Sequence, residues 1–279
     1  MLRKQKHIII FTVICTVFLL CLSASHGIIS ADETLPAETE EKPVIDSRTD
    51  KLLRAMGDYL KSSGQFSFHA EINFDDLISS GHKIQYAFAS DIAVHRPDRV
   101  YVERRTDLGG KRFWYDGKNM TLMDVTFGVY ATEPVPDDID AAMDYLMEKY
   151  GFSPPLVDFI YSDPYRTLIE NVEYGFYVGL HRIRGIRCHH LAFVQKDIDW
   201  QIWIEDGKQM VPRKFLITYK TLPESPQFSA ALSEWDLDAG LPDALFDIDL
   251  TSTEDFEKIE FMTITETASE ETGTGQQNE

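Results

Sequence analysis

The stretch QFSFHAEINFDDLISSGHKIQYAFASDIAVH, residues 65–95, sets the reading of the whole chain. Phe66, Phe68, Ala70 and Ile72 alternate with Gln65, Ser67, His69 and Glu71. Further on, Ile84, Tyr86, Phe88, Ser90, Ile92 and Val94 alternate with Gln85, Ala87, Ala89, Asp91 and Ala93. A period of two puts one set of side chains on a single face of a strand, so both runs read as strands with one buried face. Ser79-Ser80-Gly81 between them is a polar turn, which makes the pair an antiparallel hairpin.

Working outward, the pattern repeats. Arg96-Pro97-Asp98 turns the chain into a strand at 99–105, and Gly109-Gly110 into another at 111–115. Asp116-Gly117 is a hairpin signal leading into 119–124, and 127–132 completes this half. Residues 137–150 switch to helical spacing, with Ile139, Ala142, Met143, Leu146 and Tyr150 on one face behind an acidic first turn. Pro154-Pro155 ends that helix, and 156–161 and 164–169 are short helical segments. Period two then resumes: Val172, Tyr174, Phe176 and Val178 share a face, as do Cys188, His190, Ala192 and Val194. Trp200, Ile202 and Ile204 oppose Gln201, Trp203 and Glu205, and strands follow at 213–220, 227–236 and 257–262. Ahead of the hairpin, Leu52, Leu53, Met56, Tyr59 and Leu60 define a helix over 47–62, capped by Asp46 or Ser47 and stopped at Gly64.

The sum is a mainly β (α+β) domain of about eleven strands, antiparallel because tight turns join most of them. A sheet of that length curls rather than staying flat. The expected architecture is a curled antiparallel half-barrel with an N-terminal helix and a helical lid insert at 137–169 over its concave face.

Composition bounds the rest. The chain has 279 residues, 43% hydrophobic, with a formal net charge of −19. That balance argues against nucleic acid, whose phosphates need clustered Lys and Arg, and against steering onto anionic lipid surfaces. Residues 1–31 have a basic head (Arg3, Lys4, Lys6) and an apolar run from Ile8 to Leu22, too short to span a bilayer comfortably. They read as a signal peptide cleaved near Ala31 or after Ser25, with a retained anchor as the alternative. Without them, 24 basic residues face 46 acidic ones, a net of −22, and Cys188 stands alone, so no intramolecular disulfide forms. Residues 32–45 read as an acidic linker, 46–264 as a single domain without internal repeats, and 265–279 as a disordered acidic tail. The expected product is periplasmic or secreted and not an integral membrane protein after cleavage.

Two short phrases carry a family resemblance. His95-Arg96-Pro97-Asp98-Arg99-Val100 resembles the inter-strand turn of the lipoprotein localisation factor (LolA/LolB-like) superfamily, and Trp114-Tyr115-Asp116-Gly117-Lys118-Asn119 resembles its hairpin. Tyr115-Asp116-Gly117-Lys118, Cys188-His189-His190-Leu191-Ala192-Phe193 and the run from Asp199 to Gly207 are similar to a branch of predicted periplasmic proteins, a domain of unknown function. The similarity spans residues 46–262. It implies an unclosed half-barrel lidded by helices over a hydrophobic cavity, and no activity.

Candidate chemistry is sparse. There is no G-x-S-x-G elbow, H-E-x-x-H, P-loop or dinucleotide fingerprint. Cys188 and His190 share a strand face and form the one candidate zinc or nucleophile pair, with His181 or Asp197 as a third ligand; His189 points the other way. A structural Cys/His pair is the plainer reading. Asp197 and Asp199 read as solvated turn residues rather than a catalytic carboxylate pair. No cofactor is expected. The aromatic residues at positions read as inward are the richer signal. Phe66, Phe68, Tyr86, Phe88, Trp114, Tyr174, Phe176, Trp200 and Ile202 are the candidates to line an apolar cavity. The reading is a non-catalytic exported protein that binds a hydrophobic small molecule, lipid, acyl chain or lipidated peptide as carrier or sensor. The alternatives are an envelope protein-interaction module and, behind it, a hydrolase or metalloprotein around Cys188 and His190.

Overall fold

Alternation of apolar and polar residues turns into one sheet. The computed structural model describes residues 44–107, 109–248 and 255–261; the leader at 1–31, most of the linker and the acidic tail lie outside the described residues. The strands are β1 (Val44–Ile45), β2 (Gln65–Leu77), β3 (Lys83–His95), β4 (Arg99–Thr106), β5 (Gly109–Tyr115), β6 (Asn119–Asp124), β7 (Val129–Pro134), β8 (Tyr174–Ile183), β9 (Ile186–Val194), β10 (Ile198–Glu205), β11 (Pro212–Tyr219), β12 (Gln227–Asp236) and β13 (Glu257–Lys258). Their order across the sheet is β1-β8-β9-β10-β11-β12-β2-β3-β4-β5-β6-β7-β13. Every pairing is antiparallel except the two outermost, β1 on β8 and β13 on β7, which are parallel.

The sheet is a curled open half-barrel. Phe113 on β5 and Phe215 on β11 line one cavity although four strands separate them. At about 4.8 Å per strand a flat sheet would hold them more than ~20 Å apart, so the sheet bends round between them. Expected and observed strands agree closely. The main addition is β1, a two-residue strand that has no periodicity to read.

Three helices sit on the concave side. Helix α1 (Ser47–Lys61) starts where the Asp46 carboxylate accepts the Thr49 N–H at 3.0 Å. It buries Leu53, Met56 and Leu60. Helix α2 (Ile139–Tyr150) is capped by Asp138 and ends at Gly151, and its buried face is Ile139, Ala142, Met143, Leu146 and Tyr150, as its spacing predicts. Helix α3 (Pro164–Ile169) follows a single 3-10 turn at Val157–Phe159. It lies so close to α1 that a Cβ on Gly57 would stand 2.6 Å from that of Tyr165. Only glycine permits that approach, which brings the Tyr165 hydroxyl to Asp50 at 2.5 Å. Among the described residues no helix is long and apolar enough to cross a membrane.

Candidate functional site

The concave face divides in two. In one half, Phe68 stacks on Trp235 with centroids 4.3 Å apart, Phe66 lies beside both, and buried residues of α1 and α2 join the same core. Tyr115 is fully buried there and donates its hydroxyl to the Pro136 carbonyl at 2.7 Å.

In the other half the cover is the segment 152–158, which leads from the end of α2 into the 3-10 turn. Phe74, Phe88, Val102, Phe113 and Leu122 from β2 to β6 face Phe215, Ile217 and Phe228 from β11 and β12. They line an apolar cavity of about 160 Å³ that is partly open to solvent. That space holds on the order of ten water-sized atoms. Ser90, Arg104 and Lys111 add polar atoms to its floor, and Asp158 adds one from the cover. Burial pushes the Asp158 carboxyl above its ordinary value, opposed by its own backbone N–H alone.

Of the nine residues read as lining such a cavity, Phe88 does so. Phe66, Phe68, Trp200 and Ile202 are on the expected face but belong to the solid core; Trp200 stacks on Phe193 at 4.0 Å. Tyr86 lies on the cavity's face beside Phe74 but is exposed at the far end of β3. Trp114 packs on Tyr101 on the opposite, outer face of the sheet. Tyr174 and Phe176 also point outward, at 48% and 51% exposure. The reason is Gly175: it takes the inward position because the Phe193 ring and Ile45 pass over it, and a Cβ there would meet the ring at 2.9 Å. A buried glycine makes this strand's inner face look like its outer one. The lining residues that sequence reading missed were accessible to it. Phe74 extends the Phe66-Phe68-Ala70-Ile72 series, and Val102 and Arg104 extend the alternation of β4.

Cys188 and His190 share a face, as expected, the structure makes it the outer one, and His181 reaches His190 with Nδ1 atoms 3.0 Å apart. His190 spends its other ring nitrogen on Gln201 at 2.9 Å and stacks on Trp203, and burial holds its pKa down. The Cys188 thiol is fully buried, donates to the Ile186 carbonyl and is pushed up to about 11 by that burial, so it is not a thiolate. Among the described residues no group of three or more His, Cys, Asp or Glu gathers around a metal-sized site. Asp199 is ion-paired with Lys220 at 2.9 Å.

Fold and cavity together define a class: an open antiparallel half-barrel whose concave face is partly filled by helices and partly hollow under a lid segment. The chain belongs to the family described as predicted periplasmic protein (DUF2092), which matches residues 49–262. The periplasmic location read from the leader is the one in that description. No curated protein matches the chain in sequence. Solved structures similar to it include the lipoprotein LppX from Mycobacterium tuberculosis, at 14% identity and TM-score 0.45, over 69% of this chain and 100% of that one. An uncharacterised conserved protein from Thermus thermophilus is 8% identical at TM-score 0.45, over 77% and 99%. A LolA superfamily protein from Nitrosomonas europaea is 10% identical at TM-score 0.34, over 72% and 98%.

Proposed function

We propose that this protein is a periplasmic carrier or sensor that holds a hydrophobic ligand non-covalently in the hollow half of its sheet. The ligand class is a lipid, acyl chain or lipidated peptide. One observation carries the reading: the apolar cavity between Phe88, Phe113, Phe215 and Phe228, covered by residues 152–158. Apolar contact area gives affinity, and displacement of the segment between α2 and α3 gives entry and release. The same reading includes cleavage of residues 1–31 and a mature domain over 46–264 between an acidic linker and an acidic tail.

The test is native mass spectrometry of the mature protein (residues 32–279) purified from its own envelope, followed by organic extraction. A lipid-sized adduct that Phe88→Asp removes and Glu71→Ala retains is the expected result. A clean apo mass that persists in the presence of added lipids overturns the reading. It would favour the second one, an envelope protein-interaction module, which has an observation of its own: Tyr174, Phe176, Val178 and Leu180 are all exposed on β8, near one margin of the sheet.

A further inference from the structure

One row of the concave face is polar. Register places Ser90 on β3 opposite Arg104 on β4, Arg104 opposite Lys111 on β5, and Lys111 opposite Asp124 on β6. The next inward row on one side is Ile92, Val102, Phe113 and Leu122, and on the other Phe88 stands over the Arg104 guanidinium at 3.8 Å. Four polar residues therefore cross an apolar floor in a single line.

Their hydrogen bonds are unevenly distributed. Asp124 is fully committed: its Oδ1 accepts the Thr126 and Phe127 N–H groups at 2.9 and 3.1 Å, and its Oδ2 is ion-paired with Lys111 Nζ at 2.9 Å. Arg104 has no carboxylate at ion-pair distance among the described residues, and its buried Nε has no hydrogen-bond acceptor. The Ser90 hydroxyl is 1% exposed and is likewise without a partner. The row thus holds two cations against one carboxylate. Arginine is not neutralised at any accessible pH, so the fold sustains an uncompensated charge beside an orphaned hydroxyl at the wall of an apolar cavity. Buried donors without acceptors are rare in finished proteins and point to a group that arrives later.

We propose that Ser90 and Arg104 form the headgroup subsite of this cavity, receiving the anionic oxygen headgroup of a single-chain amphiphile, carboxylate or phosphate monoester, with its chain directed toward Phe113, Phe215 and Phe228. The inference rests on the cavity being a ligand site and sharpens it. Arg104 supplies a charge-assisted fork to the anion, Ser90 adds a hydroxyl donor, and Phe88 holds the guanidinium plane in place from below. Lys111 is ion-paired with Asp124 at 2.9 Å, and its ammonium keeps further N–H donors on the same row to add to the positive field at the subsite.

The test uses the delipidated protein and three probes of equal chain length: dodecanoate, dodecyl phosphate and dodecanol, titrated calorimetrically into parent, Arg104→Met and Phe88→Asp. The parent is expected to bind at least one anionic probe about tenfold or more tighter than dodecanol, the margin of a charge-assisted hydrogen bond. The tighter of the two anions identifies the headgroup. Arg104→Met is expected to erase that margin, leave dodecanol binding unchanged and keep or raise the melting temperature of the empty protein. Equal affinity of the parent for all three probes, with Phe88→Asp abolishing each, overturns the headgroup subsite and leaves the cavity standing. Binding of none by the parent overturns both. An Arg104→Met protein that melts lower when empty and loses dodecanol as well marks Arg104 as structural and also overturns the subsite.

Discussion

The two halves of the concave face are built from the same strands with the same alternation, yet one is solid and the other hollow. In the solid half, Phe66, Phe68 and Trp235 belong to one continuous core with Leu53, Met56 and Leu60 of α1 and Met143 and Leu146 of α2. In the hollow half, Phe88, Val102, Phe113 and Phe228 meet residues 152–158, a proline-stiffened passage with Pro154 and Pro155 at its centre. A helix delivers a side chain for every 1.5 Å of axis and a face that interdigitates with the sheet below. The cover over the hollow half is irregular, with Leu156 in a left-handed conformation before a single 3-10 turn, so it presents no regular face to interdigitate with the sheet. The cover, not the strand pattern, decides which half of such a sheet is core and which is site.

That contrast can be broken at several points, from the largest expected effect downward. Phe66→Ala, in the solid half, should lower stability by about 4 kcal/mol, because closely packed neighbours on every side cannot collapse into the space; denaturant unfolding measures it. Asp124→Ala should cost about 3 kcal/mol, since it strands the buried Lys111 ammonium and removes the acceptor that holds the turn at Thr126. Phe88→Ala should cost only about 2 kcal/mol, because one side of that ring already faces empty space. Should Phe66→Ala and Phe88→Ala cost the same, the distinction between halves fails. The smallest effect is a slope. The Asp158 carboxyl is pushed up in the folded protein, so the folded state holds its proton to higher pH than the unfolded chain does. Stability from this group is therefore present below its ordinary pKa and declines as pH rises from there through the folded value. Asp158→Asn should match the parent at acidic pH and melt above it at pH 8, which thermal scans across pH would show.

Much of the architecture was legible because period two is a strong signal wherever strands are long. The hairpin at 65–95, both long helices with their buried faces, and the cap of the first at Asp46 were readable from spacing and residue type, whereas Asp138 as the cap of the second was not named. The strand that misled was β8, where Tyr174 and Phe176 are larger than Gly175 and face solvent. Size predicts burial only when the neighbour across the core leaves room, and Phe193 leaves none. The cavity was harder to locate for a related reason. Alternation says which side of the sheet a residue occupies, and Phe68 and Phe88 are alike in that respect. It says nothing about what sits above them, which depends on where a helix 70 or so residues away comes to rest, a long-range matter that no local window contains. The polar row was visible in principle, as Ser90, Arg104 and Lys111 occupy inward positions in three consecutive strands. A charged residue at an inward position is the signal to seek.

The hairpin of β2 and β3 has a consequence for how anything enters. Each strand has thirteen residues, but β4 pairs with β3 only from Ala89 onward and β12 with β2 only from Phe74 inward. Beyond those points the sheet thins to a two-stranded ribbon of three residue pairs, 75–77 with 83–85, with Ile84 exposed on it and Tyr86 exposed at its base, and side-chain bonds from Lys83 to Glu224 and from the Gln227 N–H to Asp75 tether it. Ribbons of two strands are marginal on their own in water. Amide exchange should therefore be fastest at this tip despite its complete ladder, and the cavity's rim can gape by bending the ribbon while the rest of the sheet stays intact. On the proposed reading, a ligand longer than the cavity would be accommodated by compliance at this rim, with the surplus length resting against Ile84 and Tyr86.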